Sequence, residues 1–577
     1  MQSRRATAIS FLVTGLLLLG VALLADQMGL SQYGGWSRSR ILIFVIGCFT
    51  SIAAYVALIF SNQVNYYQKQ IDNKLNNLPW ISHLWNSQLL IKIRHLFHQF
   101  GFSLPSFAIV ILTYIWLASS GTWTAWNSPT RYYADLARGF QQGVLHIPTR
   151  VDPILLDLEN PYDPDTRVGV KAPIDISYFK GKYYLYWGPV PAVFLAMVSP
   201  FIHGRVGDMQ IFFAFATGIF IIQALLILSC WKRFFGQVSH WLVHLAILTA
   251  GLATPVTFLM NNFISARIYE AAISAAQFFF LLGLIFVFMA LDKKASAMSL
   301  ATAGICWGLS IGSRQVLIIP TAILVILITQ YFYREQGSIF RSFVKIIPLC
   351  VPIFTAIGAL SWYNWARFGS ILESGWSYQL AGPNLQKYRD FLFSPGYIIQ
   401  NLYNYLINPV RLTPGFPYLQ LEYGRTASLI PFLSLPQLYA SQYLVGLIIA
   451  LPFTIFAVVA FMGLIQRLQF SKRDPGSHSE RSQPLVTRLL FLSVAFLCSF
   501  VLLLFYFWAA MRFLIDFLPS LILLAIFGYW LGYQLLSSKP ALRAWYAGFG
   551  IYLALHSIVV SSLIAISVND ARFLLFK

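Results

Sequence analysis

The chain has 577 residues, of which 58% are hydrophobic and 10% are charged, and its net charge is +20. Soluble proteins carry roughly 25% charged residues, so this composition excludes an ordinary soluble domain. The positive charge does not indicate nucleic-acid binding, because the basic residues of a membrane protein collect in its cytoplasmic loops.

Apolar runs recur from end to end, and most approach or exceed the roughly 18 residues that cross a bilayer as a helix. They predict an all-α polytopic membrane protein with about 13 transmembrane helices. The predicted bounds are 8–25, 41–61, 104–120, 209–230, 239–259, 270–291, 298–314, 316–333, 344–365, 441–465, 488–509, 513–535 and 544–566. The first run follows "MQSRR", and we interpret it as an uncleaved signal anchor.

One further apolar stretch, 189–203, is short and rich in proline. The basic residues decide how to interpret it, because they are enriched in cytoplasmic loops. If this stretch stays on one side as a membrane-edge helix, every short basic loop falls on the same side as the N-terminus. If it crosses, the pairs Lys232-Arg233 and Lys293-Lys294 change sides and the rule fails. We therefore favour thirteen spans, with fourteen as the alternative.

Two long segments, 121–188 and 366–440, then face the outside. The first carries seven of the chain's 20 acidic residues, which a simple linker would not need. Functional residues often lie on loops that a rigid scaffold positions, so this segment is the first candidate for chemistry. Within it, residues 132–143 have helical spacing and predict a helix lying along the membrane surface.

Five stretches of the chain carry a family resemblance. They are "TRYYADLARGFQQG" (130–143), "SYFKGKYYLYWGPVPAVFLAMVSPFIHG" (177–204), "GLSIGSRQVLIIP" (308–320), "YNWARFGSILESGWSYQLAG" (363–382) and "RFLIDFLP" (512–519). In this order they resemble the GT-C membrane glycosyltransferases, which include protein O-mannosyltransferases, lipid A aminoarabinose transferases and Rgt-like enzymes. The resemblance covers residues 104–535 and implies a GT-C-like bundle whose large first outer loop carries membrane-surface helices. Residues 1–103 would add two spans and a basic cytoplasmic loop, and residues 536–577 a last span and tail.

The resemblance implies an inverting hexosyl- or pentosyltransferase. Such an enzyme moves a sugar from a polyprenyl-phosphate lipid to a glycan, lipid or protein acceptor on the outer face of the membrane. Many members place an Asp-Glu pair just before the first surface helix. Here that place reads Trp126-Asn127-Ser128-Pro129, so the catalytic base must lie elsewhere or be absent.

This reaction needs a carboxylate that takes the acceptor's proton and cations that hold the leaving phosphate. The stretch 173–193 supplies both kinds of residue at the edge of an apolar run. Asp175 is the first candidate for the base, with a turn acid paired to a lysine as the alternative interpretation. Asp135, in the predicted surface helix, is the second candidate. The predicted substrate-binding residues are Lys180, Lys182, Tyr183, Tyr184, Trp187, Glu270, Arg314 and Arg512.

Charged residues at the ends of the spans are costly to bury and often mark function. Local pairing is the alternative: Glu270 with Arg267 at i,i+3, and Arg512 with Asp516 at i,i+4. Arg314 has no such local partner, so the sequence favours it as the ligand of the phosphate, together with the lysines of the outer segment.

Two other classes of function stay open. A transporter or lipid flippase would also need many spans and buried charges, although transporters usually show two similar halves and none is visible here. The missing Asp-Glu pair also leaves open a non-catalytic relative of the transferases.

The resemblance implies no cofactor, and scattered His and Cys residues predict no metal site, with a divalent cation at the acidic segment as the alternative. The implied partners are the lipid donor, the acceptor and membrane lipid, without nucleic acid. By default we place the chain in a bacterial inner membrane, with its site facing outside.

Overall fold

The structure is a computed structural model, and it describes most of the chain. The described residues are 2–25, 36–59, 101–119, 121, 123, 126, 128–173, 175–201, 206–254, 268–292, 296–415, 417–429, 435, 438–473 and 483–569. Most of the predicted cytoplasmic loop before residue 104 lies outside the described residues, as do Arg267 and Lys293-Lys294.

Helices make up most of the fold, and many are apolar on all sides, as expected of helices that contact either protein or lipid. The first nine are α1 (Gln2–Leu23), α2 (Arg38–Ile59), α3 (Leu104–Ala118), α4 (Tyr132–Gln141), α5 (Pro153–Asp157), α6 (Val190–Val198), α7 (Asp208–Phe234), α8 (His240–Leu252) and α9 (Ile268–Asp292). They are followed by α10 (Ala297–Ser313), α11 (Ile318–Gln336), α12 (Ile339–Phe368), α13 (Ile398–Leu406), α14 (Leu447–Ala450), α15 (Ala457–Arg473), α16 (Gln483–Leu504), α17 (Leu518–Leu535) and α18 (Pro540–Asn569).

Among the described residues, 8 helices are long and apolar enough to cross a membrane. They are Gly101–Ala118, Asp208–Phe234, Ile268–Asp292, Gln315–Gln336, Ile339–Phe368, Pro484–Leu504, Leu518–Leu535 and Pro540–Ser567. Shorter apolar helices cover Thr7–Leu23, Val190–Phe201, His240–Leu252, Ala297–Ser313 and Pro452–Arg467. The chain is therefore a multi-pass membrane protein, while the count of thirteen spans stays a prediction.

The central helices pack so that several of their ends meet. Helix α9 packs against α7 and α10, α10 packs against α12, and α15 packs against α17. Short connections make successive helices antiparallel. The beginning of α9, the end of α10 and the beginning of α17 therefore lie at one end of the bundle, which we call the site end.

At the opposite end of the bundle, two basic residues contact one acid, Asp292. Asp292, the last residue of α9, forms ion pairs with Arg233 near the end of α7 and with Arg488 in α16. The Arg488 Nη2–Asp292 Oδ2 distance is 2.5 Å. Residues from three predicted cytoplasmic connections thus lie at the same end, in agreement with the sorting of charge that the sequence analysis used.

The short helix α6 begins and ends at the site end of the bundle. The carbonyl of Gly188, just before α6, lies 3.4 Å from the hydroxyl of Tyr133 in α4. After α6, the carboxylate of Asp208 accepts hydrogen bonds from the amides of Tyr132 and Tyr133. Helix α6 has 9 residues, and at about 1.5 Å per residue it is too short to cross a bilayer of roughly 30 Å. This geometry agrees with the prediction that 189–203 stays on one side.

The predicted span 441–465 is wrong in its first half. Residues 440–444 form two short strands, and the continuous helix α15 begins only at Ala457. Pro452 lacks an amide hydrogen and begins a 3-10 turn, which separates the short helix α14 from α15. The predicted span 513–535 likewise begins late, because Met511–Asp516 is a 3-10 helix and α17 starts at Leu518.

The prediction of an all-α chain misses several short strands. They are β1 (Ser177–Phe179), β2 (Lys182–Tyr184), β3 (Val410–Leu412), β4 (Leu419–Tyr423), β5 (Ala440–Ser441), β6 (Tyr443–Leu444) and β7 (Trp508–Ala509). Strands β1 and β2 pair antiparallel, as do β3 with β4 and β4 with β6, whereas β5 and β7 pair parallel.

The two predicted outer segments form one layer. The amide of Leu380 donates to the carbonyl of Ile176 at 2.8 Å. Arg167 donates to the carbonyl of Ala381 at 2.5 Å. This layer lies on the site end of the bundle, because Gly188 belongs to it and contacts the end of α10.

Candidate functional site

The stretch 173–193 is built around a tight β-hairpin. Strand β1 pairs with β2 so that Phe179 lies opposite Lys182, which leaves a loop of two residues, Lys180 and Gly181. Their φ angles are +48° and +72°. Two positive φ values match a type I′ turn, whose twist suits the flanking strands. The hairpin therefore fixes where the acid, the lysines and the aromatic residues of this stretch lie.

Asp175 lies just before the hairpin in a strained backbone conformation. Its φ is +55°, a region that Asp and Asn tolerate better than most other residues. Its carboxylate accepts a hydrogen bond from the hydroxyl of Tyr269. The side-chain amide of Gln379 approaches the other carboxylate oxygen at 3.5 Å. Strain of this kind is found at functional sites, where the surrounding structure holds one residue in place.

Tyr269 connects this acid to a cation. It lies in the first turn of α9, and its ring meets the ring of Trp187 edge to face, with centroids 4.9 Å apart. The guanidinium carbon of Arg512 lies 4.2 Å from the centroid of the Tyr269 ring. Asp175, Trp187 and Arg512, all predicted as site residues, are therefore brought together by a residue that the sequence analysis did not name.

Arg512 is a buried cation, and among the described residues no carboxylate forms an ion pair with it. Its relative exposure is 9%. Its Nη1 donates to the amide oxygen of Gln442 at 2.6 Å, and its Nε finds no hydrogen-bond partner among the described residues. A neutral amide does not compensate the charge, and an uncompensated buried charge is costly. The arrangement is therefore suited to an anionic ligand.

The alternative pairing of Arg512 with Asp516 at i,i+4 is wrong, and Arg314, which has no partner nearby in sequence, finds one far along the chain. Asp516 instead pairs with Arg314, with an Nη2–Oδ2 distance of 2.8 Å. The side chains of Arg314 and Asp516 are 17% and 5% exposed. The pair joins the end of α10 to the 3-10 helix before α17, a contact between residues far apart in sequence.

Phe513 lies beside both arginines. The guanidinium carbons of Arg314 and Arg512 are 5.6 Å and 5.1 Å from the centroid of its ring. We use the name buried cluster for Asp175, Trp187, Tyr269, Arg314, Arg512, Phe513 and Asp516.

A close backbone contact holds the aromatic stretch against this cluster. A Cβ atom added to Gly188 would lie 1.9 Å from the carbonyl oxygen of Gly312 and 2.8 Å from the carbonyl carbon of Ser313. Only glycine, which has no Cβ atom, can approach another backbone so closely. Since Gly188 follows Trp187 and Ser313 precedes Arg314, this contact sets the distance between the two parts of the cluster.

The structure places the two predicted lysines elsewhere. Lys180, Lys182 and Tyr184 line an open cleft between the hairpin and residues 365–369 at the end of α12. Arg314 does not line this cleft, so the two lysines and Arg314 do not share one pocket. Tyr183 points the other way, is 1% exposed and packs near Tyr178.

The other two predicted site residues have separate surroundings. Asp135 in α4 pairs with Arg138 at 2.5 Å. Burial raises the pKa of Asp135, while Arg138 and Arg131 lower it. Glu270 is 2% exposed in the first turn of α9, next to Tyr269. Its proposed partner Arg267 lies outside the described residues, so that pairing stays a prediction.

The structure adds Tyr269, Gln442 and Phe513 to the candidate site. The sequence offered a signal only for Asp516, an acid inside an apolar run. An aromatic residue or an amide at the end of a span is too common in such a chain to indicate a site. In the part of the chain that the structure describes, no three His, Cys, Asp or Glu side chains group as metal ligands.

No protein-family model and no curated protein matches the chain. Two solved structures from Archaeoglobus fulgidus are similar in part. The oligosaccharyltransferase in its apo form has a TM-score of 0.44 and 12% identity, and the match covers 81% of this chain and 56% of that one. The oligosaccharyltransferase AglB with an inhibitory peptide and a dolichol-phosphate has a TM-score of 0.40 and 13% identity, and covers 82% and 56%. The chain thus spans a little over half the length of these proteins. TM-scores below 0.5 do not establish a shared fold.

Proposed function

We propose that the chain is a GT-C-type membrane glycosyltransferase that moves a sugar from a polyprenyl-phosphate lipid to an acceptor on the outer face of the membrane. One observation carries the proposal: Asp175, a carboxylate on a strained backbone, and Arg512, a buried cation with no ion-pair partner among the described residues, both contact Tyr269. The reaction needs a proton acceptor and a cation close together at the edge of the membrane, and the buried cluster supplies this pair.

Each reacting group has a role in the proposed step. Asp175 takes the proton of the acceptor hydroxyl as the acceptor oxygen bonds to the anomeric carbon of the sugar. The bond between that carbon and the phosphate oxygen breaks, and its electrons leave with the lipid phosphate. Arg512 stabilises the growing negative charge, as a preorganised cation does in a site that excludes water. Attack opposite the leaving group inverts the anomeric carbon.

Other members of the cluster position these groups. The hydroxyl of Tyr269 orients the Asp175 carboxylate, and its ring packs beside Arg512. The Arg314–Asp516 pair ties α10 to the region before α17, so Arg314 has a positioning role more than a direct one. Trp187 presents an aromatic face next to Tyr269 on which a sugar or prenyl group can pack.

The test is transfer of labelled sugar by the purified chain in nanodiscs. A panel of undecaprenyl-phosphate-linked hexoses and pentoses serves as donors, and candidate acceptors are glycans, lipids and peptides. Asp175→Asn keeps the shape of the side chain and removes its basicity, so it should lower the rate about 10²–10⁴-fold. Asp135→Asn is the matched control, because its ion pair is partly exposed and its loss should leave the rate within about threefold.

The alternatives predict different results. Equal rates for wild type and Asp175→Asn would contradict the role of Asp175. Movement of intact donor between the leaflets without cleavage would favour the transporter class, and neither transfer nor movement with any donor would favour a non-catalytic relative.

A further inference from the structure

The cleft beside the hairpin is a second candidate site, distinct from the buried cluster. Phe179, Lys180, Lys182 and Tyr184 line it on one side, and residues 365–369 line it on the other. Its volume is about 530 Å³, and it opens to the surroundings. Both lysines are exposed. In the described part of the chain, neither lysine forms an ion pair.

The charge of this cleft is positive. Arg367 also lines it, with its guanidinium carbon 3.8 Å from the centroid of Tyr363 and 4.6 Å from that of Phe368. Arg367 donates to the backbone carbonyl of Leu185 at 2.6 Å and to the side chain of Asn364 at 2.9 Å, so it fixes the hairpin to α12. With Arg367 committed to these bonds, the lysines are the groups available to a ligand.

Aromatic faces accompany the charge. Lys180 Nζ lies 5.2 Å from the centroid of Phe179, and Tyr184 and Trp365 also line the cleft. Trp365 is 57% exposed. Ammonium groups bind phosphate and carboxylate as point charges, while aromatic rings offer flat apolar surface to a sugar ring. Cations and exposed rings together suit an acidic sugar better than either an inorganic ion or an uncharged glycan.

The hairpin connects the cleft to the proposed base. Asp175 stands five positions before Lys180. At about 3.3 Å per residue, the Cα atoms of the two residues are therefore at most roughly 16 Å apart. At the other end of the hairpin, Tyr186 and Trp187 follow the cleft residue Tyr184 and pack against each other, with ring centroids 3.8 Å apart. This separation of Lys180 from Asp175 is within the length of one oligosaccharide.

We propose that the cleft is the acceptor subsite and that it selects an acidic glycan. A phosphate or carboxylate on the acceptor would bind Lys180 and Lys182 while its hydroxyl reaches Asp175. The assignment of the cleft as an acceptor subsite rests on the proposed function. The preference of the cleft for an acidic sugar is independent of any transfer.

The test is protection of single lysines from acetylation, followed by mass spectrometry, with the full chain in phosphatidylcholine nanodiscs. The probes are trigalacturonic acid, maltotriose 1-phosphate and neutral maltotriose. Either acidic probe should slow acetylation of Lys180 and Lys182 and leave exposed Lys171, in the same outer segment, unchanged. Maltotriose should protect neither lysine. Protection should weaken as salt is raised, because salt screens exposed charges.

Two variants give a second readout. Lys180→Asn removes the charge and suits the positive φ of the turn, so folding should be kept. Lys180→Asn and Lys182→Gln should each weaken binding of the acidic probe about fivefold, with Lys171→Gln unchanged.

Several results would overturn the inference: no protection by either acidic probe, equal protection by maltotriose, or protection that appears only when phosphatidylglycerol is added to the nanodisc. The last would assign the cleft to a lipid headgroup. Lysine protection without sugar transfer by any donor would keep the acidic-sugar site and contradict the transferase, whereas transfer without protection would contradict only the cleft.

Discussion

The hydroxyl of Tyr269 donates a hydrogen bond to the carboxylate of Asp175 across a separation of 94 residues. Tyr269 lies in the first turn of the long helix α9, and Asp175 precedes the hairpin of the outer layer. This single contact therefore joins the membrane-embedded bundle to the layer above it. It also brings the carboxylate and Arg512 to the same side chain, because the ring of Tyr269 packs on that guanidinium.

Tyr269 and Asp175 should act as a unit. Tyr269→Phe keeps the ring that packs on Trp187 and Arg512 but removes the donor, so we expect a rate loss of about tenfold, roughly the worth of one hydrogen bond to a charged group. Combined with Asp175→Asn, the second change should add little. The measurement is a double-mutant cycle of transfer rates. Fully additive losses would show that the two residues act independently.

The Arg314–Asp516 pair should contribute to stability more than to turnover. Arg314→Gln leaves the carboxylate of Asp516, which is 5% exposed, buried without its cation. We expect a loss of about 3 kcal/mol in the free energy of unfolding, as for other broken buried pairs. The double variant Arg314→Gln/Asp516→Asn should recover much of this loss, measured as the thermal midpoint in nanodiscs.

An exposed pair provides the control for that experiment. The side chains of Arg138 and Asp135 are 55% and 27% exposed, so Arg138→Gln should cost less than about 1 kcal/mol. Equal losses for Arg314→Gln and Arg138→Gln would contradict the structural role given to the buried pair.

Gly188 should tolerate no side chain. Gly188→Ala places a methyl group where the carbonyl of Gly312 lies, so either the aromatic stretch or α10 must move. Overpacking of this kind typically costs 1–3 kcal/mol, and transfer should fall because the cluster lies on both sides of the contact. Gly382→Ala, in the same outer layer, meets open space and should be close to neutral in both assays. If the two alanine variants behave alike, the close approach is not what holds the stretch in place.

The two ends of the bundle should label from opposite sides of the membrane. Gln237, just after α7, and Lys387, in the outer layer, are both exposed and suitable for cysteine substitution. In a chain whose five native cysteines are replaced, the cysteine at 237 should react from the cytoplasm and the cysteine at 387 from the outside, as the basic residues predict. Labelling of both from one side would refute the predicted orientation.

The sequence predicts a helix well where a single apolar run is as long as a membrane span. The predicted 270–291 corresponds to Ile268–Asp292, because no proline and no charged residue lies between Glu270 and Asp292. The prediction of a span over 441–465 failed because its first residues pair with distant ones, with Ser441 opposite Ala509 in a parallel ladder. Pairings of that kind leave no local pattern.

The candidate site was also difficult to predict, because its residues come from distant parts of the chain. Asp175, Trp187, Arg314 and Arg512 could be named as candidates from their chemistry and their positions at the ends of apolar runs. Their arrangement could not, since helical spacing offered Asp516 as an alternative partner of Arg512 at i,i+4, and the structure pairs Asp516 with Arg314 across 202 residues. Side chains from separate helices meet only when the helices pack.

The position of a lipid phosphate tests the central proposal most directly. The measurement is cryo-electron microscopy of the chain in nanodiscs containing undecaprenyl phosphate. Arg512 is buried, and neither an ion-pair partner nor an acceptor for its Nε is found among the described residues. We therefore expect phosphate density beside this Nε, on the side of the cluster that faces Asp175. Phosphate density at Lys180 and Lys182, with none at Arg512, would contradict the proposed site.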